Sequence, residues 1–434
     1  MMNVVLAKTE SGKVADRLFA RTSDRLPGSG KVAEARRHAL ETFEREGLPH
    51  RRLEEWKYTD LRALMREVLP LAPRPDAAAL GRARGALTSI AINNAASLVL
   101  VDGVFSPELS ESPGAGVSVR ALREALESGG DLPSTRSTDA MVSLNAALAA
   151  DGVLIDVADG VALARPIQIV HVATASAASH FTRSHVRLGR AARATLVESF
   201  IAAEGAKAYQ THDAVILSIG DGAELSHVRF MADSADAANI SSEFFTIGAK
   251  AKFNLFNMTS GGGVSRFQGF VTLAGEGSEL SINGVNLLSG SQHGDTTMVV
   301  DHAVPRCTSR EIFRAVVDER AHSVFQGRII VQPDAQKTDG KMMMRALLLS
   351  NQAEADNKPE LEIFADDVTC GHGATAGSLD EGLLFYLRAR GLPEKDAQGL
   401  LIQAFVGEAI EQIADENLRD FAASQAQRWL EARR

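Results

Sequence analysis

The chain has 434 residues, of which 45% are hydrophobic and 23% are charged, and this composition excludes wholesale disorder and a membrane-embedded body. Its formal net charge of -9 at pH 7 argues against nucleic-acid binding, because phosphate contacts need a basic protein surface. Only two cysteines, Cys307 and Cys370, are present, and we find neither a membrane-length apolar run nor an N-terminal secretory signal, so we expect a cytoplasmic protein without a disulfide framework.

Residues 1–90 are predicted to form an N-terminal helical region. The segment KVAEARRHALETFEREG places apolar residues at helical spacing, and Gly47 and Pro49 predict where that helix ends. The Ala-, Pro- and Arg-rich segment that follows is typical of a connection, and it leads into the predicted strand LVLVDG.

Residues 91–376 have short apolar or alternating runs separated by Gly and Asp, which predicts a β-rich core. Four segments in this core align by a turn, a charged residue, an apolar residue and a small polar residue. Their charged positions are 31, 28 and 27 residues apart, a spacing typical of stacked solenoid coils. The four aligned charged residues are Arg193, Glu224, Lys252 and Glu279. A β-sandwich with recurrent tight turns is the alternative.

A solenoid leaves unpaired strand edges at its ends, and proteins usually cover or pair such edges. An end-to-end protein partner would satisfy that requirement.

Residues 377–434 return to helical periodicity and are predicted to form a C-terminal helical domain. Ser378 and Glu381 form a capping-box pattern, and Gly391 and Pro393 predict a break between two helices. The second helix has an apolar stripe that packing within the chain explains for most of its length, although one face could bind a partner protein. The stripe consists of Leu400, Leu401, Ala404, Phe405, Ala409 and Ile413.

Nucleotide hydrolysis is not indicated. The segment GSGKV at residues 28–32 lacks the phosphate-loop spacing, because Arg25 stands where Gly is required and Val32 where Ser or Thr is required. Nucleophile-elbow, zinc-helix, paired-cysteine and calcium-loop motifs are also missing from the sequence. The eleven histidines are scattered, and we expect most of them at the surface or at caps.

The segment ADDVTCGHGATAG concentrates groups that bind metals. Cys370 and His372 are two residues apart, so both point to the same side of an extended segment. Thiolate and imidazole suit iron or zinc, but a complete site needs about four ligands, so others would come from elsewhere, for instance from a second chain. A small buried hydrophobe is the ordinary alternative for a free cysteine.

Three segments together resemble the SufD group of the SufB/SufD family, which takes part in iron–sulfur cluster assembly. They are NKPELEIFADDVTCGHGATAGSLDEGLLFYLRARG at residues 357–391, QKTDGKMMMRALLLSNQAEADNKP immediately upstream, and GLPHRRLEEWKYTDL near the N-terminus. The resemblance extends over essentially the whole chain. Gly371 departs from the pattern, since Ser often stands there.

The resemblance implies a right-handed β-helix core flanked by helical regions, in a scaffold subunit that is not itself an enzyme. It implies pairing with SufB through the β-helix, with Cys370 and His372 at that interface handling iron or a nascent cluster, and no cofactor bound stably by the chain alone. It also implies docking of the SufC ATPase on the C-terminal helices. The candidate contacts there are Leu400, Leu401, Phe405 and Ile413. The isolated chain could pair with itself.

Two alternatives remain. A SufB-type chain would carry a cysteine near residues 347–349 and an N-terminal cysteine cluster, and this sequence has neither. A stand-alone β-helix enzyme could use Asp366 and Asp367 as acid and base, but adjacent carboxylates on a strand point to opposite faces.

Overall fold

The computed structural model describes residues 10–433; the prediction that a secretory signal is lacking rests largely on residues 1–9, outside that range. The helices are α1 (Glu10–Thr22), α2 (Lys31–Glu46), α3 (Leu61–Leu64), α4 (Ala77–Leu87), α5 (Leu122–Glu127), α6 (Ala140–Leu148), α7 (Glu381–Arg388), α8 (Glu394–Ile410) and α9 (Glu416–Ala432). In the described part of the chain, no helix has the length and apolarity needed to cross a membrane.

Nineteen strands lie between the helical regions. They are β1 (Ala96–Val101), β2 (Val104–Phe105), β3 (Val117–Ala121), β4 (Val153–Val157), β5 (Ile167–Ala173), β6 (Ser179–Leu188), β7 (Arg193–Ala202), β8 (Gln210–Ile219), β9 (Glu224–Ala232), β10 (Ala238–Ile247), β11 (Lys252–Thr259), β12 (Val264–Leu273), β13 (Glu279–Leu288), β14 (His293–His302), β15 (Thr308–Val317), β16 (His322–Val331), β17 (Asp339–Leu348), β18 (Glu354–Ile363) and β19 (Thr369–Gly377).

The strands form two sheets, and from β4 onward consecutive strands alternate between them. One sheet has the order β19-β17-β15-β13-β11-β9-β7-β5-β1-β2, and the other has the order β18-β16-β14-β12-β10-β8-β6-β4-β3. Pairing along each sheet is parallel from β4 and β5 onward, so the chain winds through about eight turns of a β-solenoid. The predicted β-helix core flanked by helices is therefore confirmed.

The stacking register of the coils agrees with the sequence repeats residue by residue. Arg193 pairs with Glu224, Glu224 with Lys252, and Lys252 with Glu279 in successive strands. Their side chains form ion pairs on the outer surface, at 3.4 Å between Arg193 and Glu224 and 3.3 Å between Lys252 and Glu279. Because side chains alternate along a strand, the next residue in each coil points inward.

The inward-facing residues form the continuous core of the solenoid. Leu225, Phe253 and Leu280 follow the charged ladder and are each at most 3% exposed. Each coil buries its apolar face only between its neighbours, which is why the repeat is visible in the sequence.

The N-terminal region packs against the outer face of one sheet through the WKYT segment. The Trp56 ring lies 3.8 Å from the guanidinium carbon of Arg266, and the Arg266 side chain pairs with the Asp295 carboxylate. Thr59 joins the same cluster through hydrogen bonds to His293 and Asp295. The WKYT motif thus fixes the helical region onto strands β12 and β14.

Two features of the sequence interpretation need correction. Helices α5 and α6 interrupt the predicted β-rich range, and α6 is almost entirely buried. At the start of α7, the cap is Asp380, whose carboxylate accepts from the Leu383 N–H at 2.9 Å, instead of Ser378. Asp380 caps the helix because it directly precedes the first turn, where a side-chain acceptor is needed. Its negative charge also complements the helix dipole there.

The C-terminal helices pack on the outer face of the other sheet. The buried face of α8 coincides only in part with the predicted stripe, of which Ala409 and Ile413 are buried. Ile402, Val406 and Ile410 are buried against strand residues such as Val228, whereas Leu400 is 47% exposed. Apolar residues surround this helix on nearly all sides, so their spacing alone did not select the face that packs.

Candidate functional site

The two ends of the solenoid are closed differently. At the N-terminal end, β2 pairs antiparallel with β1, and β3 pairs antiparallel with β4, so both sheets finish in short antiparallel strands. At the C-terminal end, β18 and β19 each have a single strand neighbour within the described chain. We call this last coil, residues 354–377, the open end.

The open end carries a row of unpaired backbone groups. In β19, the Thr369 N–H donates to the Thr338 carbonyl at 2.8 Å, toward the neighbouring coil. Alternate residues of a parallel strand bond to the same neighbour, so the N–H groups of Cys370, His372 and Ala374 point to the free side. Such an edge is a template for adding another strand.

Strand β18 has the same arrangement and contains a proline. The N–H groups of Glu354 and Phe364 donate inward to the preceding coil, both at 2.9 to 3.0 Å. By alternation, the missing N–H of Pro359 falls on the free side, where it breaks no hydrogen bond of the sheet. A proline at this position limits uncontrolled pairing while it preserves the fold.

Cys370 and His372 lie side by side on the inner face of β19. Cys370 pairs with Gly340 and His372 with Met342 in the coil below. Cys370 is half-buried against the solenoid core, whereas His372 is exposed. The prediction that both residues share one side of an extended strand agrees with this register.

In the isolated chain, the side chain of Cys370 favours the protonated thiol over the thiolate. Partial burial raises the pKa of Cys370, and the nearby Asp339 carboxylate acts in the same direction. Within the described residues, no third metal-binding side chain joins Cys370 and His372 in a compact group. The pair therefore offers two ligands and would need further ones, and a positive charge, from outside the chain.

A buried carboxyl group lies two coils below His372 on the same inner face. Glu311 pairs with Met342, which pairs with His372. Glu311 is 1% exposed, and neither of its carboxyl oxygens has a hydrogen-bond partner among the residues that the structure describes. This burial raises the pKa of Glu311 to about 8, so the group is mostly protonated at neutral pH. The sequence interpretation did not single out this residue.

The raised pKa of Glu311 predicts a stability that depends on pH. In the unfolded chain, Glu311 releases its proton near the usual glutamate pKa of about 4.3, whereas the folded state keeps the proton up to about pH 8. The free energy of unfolding should therefore fall between these two pH values, by at most about 1.4 kcal/mol per pH unit. Glu311→Gln should remove this slope and stabilise the protein at pH 8. Denaturant unfolding between pH 5 and pH 8 checks it.

The matched control is Glu279→Gln, which changes an exposed glutamate on the neighbouring strand and should leave the slope unchanged. An unaltered slope in Glu311→Gln would contradict the raised pKa.

Asp366 and Asp367 are placed differently from the strand geometry considered above. Both lie in the bend before β19, and Asp367 forms an ion pair with Lys337. The Asp367 backbone is also held by Gln336, whose side-chain oxygen accepts its N–H at 2.9 Å. The contacts of Asp367 stabilise the turn between coils, and the two adjacent carboxylates lie in a bend instead of on a strand.

The candidate contacts on the C-terminal helices occupy different environments. Leu400 is exposed, and Leu401 and Phe405 are half-buried. Ile413 is 4% exposed and belongs to the core between the helices and the sheet, so it is not available at the surface.

Helix α7 has no buried residue, and it carries an apolar surface that the sequence stripe did not include. Leu383 is 53%, Phe385 is 74% and Tyr386 is 52% exposed. Exposed apolar groups clustered on one short helix mark a protein interaction site. We use the name α7 face for these three exposed side chains together with exposed Leu400 of the following helix.

Comparison with known proteins identifies the family. Residues 171–405 match the SufBD core domain of the SUF system for iron–sulfur cluster assembly, and residues 16–169 match the SufBD protein N-terminal region. The chain belongs to the SufB/SufD family of iron–sulfur cluster assembly proteins. It is 32% identical to the iron–sulfur cluster assembly protein SufD of Escherichia coli, over 90% of this chain and 91% of that protein.

Other family members are similar over most of their length. A SufBD family protein of Synechocystis is 29% identical over 84% of each chain, and one of Mycobacterium bovis is 29% identical over 86% of this chain and 87% of its own. The sequence-based recognition is thereby confirmed, and the chain is a SufD-like member of the iron–sulfur cluster assembly machinery.

Proposed function

We propose that this protein is a non-catalytic scaffold subunit that pairs with SufB through the open end of its solenoid. One observation carries the proposal: the last coil exposes two strand edges, and Cys370 and His372 lie on its inner face. A second β-helix that adds its own terminal strands would satisfy the free N–H groups. It would also bring further ligands to the two side chains.

In this scheme, iron or a nascent cluster is the cargo of the interface. The chain alone supplies one sulfur and one imidazole ligand, so cargo binds stably only when the partner completes the site. Positive charge from bound iron lowers the pKa of the Cys370 thiol and favours the thiolate that binds it.

We further propose that the SufC ATPase docks on the α7 face. Leu383, Phe385, Tyr386 and Leu400 provide apolar anchors on a helical surface, which suits insertion into a hydrophobic groove. Nucleotide-dependent motion of SufC would then reach the open end directly, because β19 ends at Gly377 and α7 begins at Glu381.

Anaerobic co-expression with SufB and SufC, followed by size-exclusion chromatography, tests the proposal. We expect one complex containing all three chains, with iron, sulfide and visible absorbance in the same peak. A chain that elutes alone, or as a dimer of itself in the presence of SufB, would contradict the pairing. Turnover of a small substrate by the isolated chain would favour the stand-alone enzyme instead.

A further inference from the structure

A second group of potential metal ligands lies deep inside the solenoid, far from the open end. Six of the eleven histidines are buried, contrary to the expectation that most lie at the surface. The buried ones are His171, His180, His212, His227, His293 and His302. Two of them contact an internal cluster of carboxylates in coils β5 to β10.

Three ligand atoms converge at one point of this cluster. The metal-binding atoms of His171, Glu198 and Asp213 lie within 4.8 Å of one another. All three side chains are nearly inaccessible, with Glu198 and Asp213 at 1% exposure and His171 at 7%. His171 and Glu198 come from one sheet and Asp213 from the other, so the group spans the solenoid interior.

A neighbouring group of Glu198, His227 and Glu243 is similarly close-packed, but it already has a cation. The Nε atom of Arg229 lies 2.7 Å from a carboxylate oxygen of Glu198 and 2.7 Å from one of Glu243. The guanidinium also donates to Asn257 at 3.1 Å. This half of the cluster is an ion-pair network.

Asp213 has no such partner for one of its oxygens. Its Oδ1 accepts from the Thr182 hydroxyl at 2.5 Å, whereas Oδ2 is buried and has no hydrogen-bond partner within residues 10–433. An unpaired carboxylate oxygen in a dry interior destabilises the fold unless it gains a partner. Oδ2 is thus an unused acceptor beside the imidazole of His171.

The net charge of the cluster also favours a bound cation. Three carboxylates, those of Glu198, Asp213 and Glu243, face one guanidinium, that of Arg229, which leaves two negative charges when the imidazoles are neutral. A divalent cation would neutralise the cluster completely. Buried carboxylates are paired, protonated or bound to a metal, and a bound metal is the arrangement that would also use the free oxygen of Asp213.

A small cavity adjoins His171, one of the three proposed ligands. A cavity of about 10 Å³ is lined by His171, His180 and Thr182 among others, which is room for about one water molecule. Three protein ligands and one water complete a tetrahedral site.

We propose that His171, Glu198 and Asp213 bind a divalent first-row transition metal inside the solenoid. The ligands are nitrogen and oxygen only, a set that suits Zn²⁺, Mn²⁺ or Fe²⁺. The site is enclosed by the coils, so the ion enters as the chain folds and holds the two sheets together. It is separate from the proposed cargo site, which lies six strands further along the same sheet, roughly 30 Å away.

The experiment is to unfold the full-length chain in a chelator and refold it with or without Zn²⁺, then dialyse it and measure bound zinc and thermal stability. We expect one zinc per chain and a higher Tm when zinc is present during refolding. X-ray absorption should show nitrogen and oxygen ligands without sulfur. Sulfur in the first coordination sphere, or equal Tm with and without zinc, would overturn the proposal.

Substitutions of individual residues test which side chains bind the zinc. Asp213→Asn should lose the zinc, whereas the matched control Asp233→Asn, which alters another buried aspartate that is already bonded by Tyr209 and Asn239, should retain it. The double variant Cys370→Ser, His372→Ala should retain zinc as well. Retention by Asp213→Asn would contradict the assignment, and if that variant does not fold, the zinc dependence of refolding in the unmodified chain decides the question.

Discussion

A complex that contains the His372→Ala variant should assemble with SufB and SufC and yet carry no iron–sulfur cluster. The expectation follows from the place of His372 on the exposed inner face of β19, where its side chain contributes little to the folded core. Removing it deletes one of the two ligands that we propose at the open end. The measurement is iron, sulfide and visible absorbance of the purified complex.

Two control variants show whether the loss of cluster is specific to the removal of a ligand at position 372. His38→Ala changes an exposed histidine on α2 and should leave cluster loading unchanged. His372→Cys substitutes another metal ligand and should retain part of the loading, whereas a purely structural role would not distinguish cysteine from alanine. Full loading of the His372→Ala complex would contradict a ligand role for this residue.

The Ala374→Pro variant should fail to associate with SufB while it keeps its own fold. Ala374 is exposed, and its N–H points to the free side of β19, so proline removes an outward donor without breaking a hydrogen bond to β17. If strands pair across the open end, loss of that donor and the bulk of the ring should weaken association at least about tenfold, or about 1.4 kcal/mol. A binding titration against SufB gives the dissociation constant.

Matched controls exist on the same edge. Ala374→Ser keeps the N–H and should bind as the unmodified chain does. Pro359→Ala restores an outward N–H on β18 and should bind at least as tightly. Unchanged affinity in Ala374→Pro, with a circular dichroism spectrum that shows an intact solenoid, would show that SufB does not pair with this strand.

The sequence allowed much of the solenoid to be predicted because each coil repeats the same local requirement. Arg193, Glu224 and Lys252 occur at equivalent turns, and their spacing determines which residues stack in adjacent strands. Alternation then identifies inward and outward positions. The order of the coils along the chain is also their order in space, so no long-range pairing had to be guessed.

Features that depend on packing between distant elements were harder to predict. The buried face of α8 contains Ile402 rather than Leu401, since the choice depends on the sheet beneath the helix and not on the apolar content of the helix itself. Helices α5 and α6 were missed because α6 is apolar nearly throughout and lacks an amphipathic pattern.

The internal cluster left a partial signal in the sequence. Three polar residues occupy successive stacked positions, at the same separations as the charged residues of the outer ladder, but their side chains point into the solenoid. They are Glu198, Arg229 and Asn257. Charged residues at inward positions of a solenoid are costly unless they pair, so they indicate a functional or structural site. Asp213 could not be added from the sequence because it comes from the opposite sheet.

Cys370 and His372 could be proposed from the sequence, by their spacing and by the family resemblance, because both lie on one strand two residues apart. Glu311 could not, since its position below His372 depends on the register of three coils.

Hydrogen exchange of the chain alone and in complex with SufB tests the central claim most directly. The free-edge amides of residues 354–363 and 369–377 should exchange rapidly in the isolated chain and become protected in the complex, because partner strands would accept from them. Protection confined to other parts of the chain, with the last coil exchanging as before, would contradict pairing through the open end.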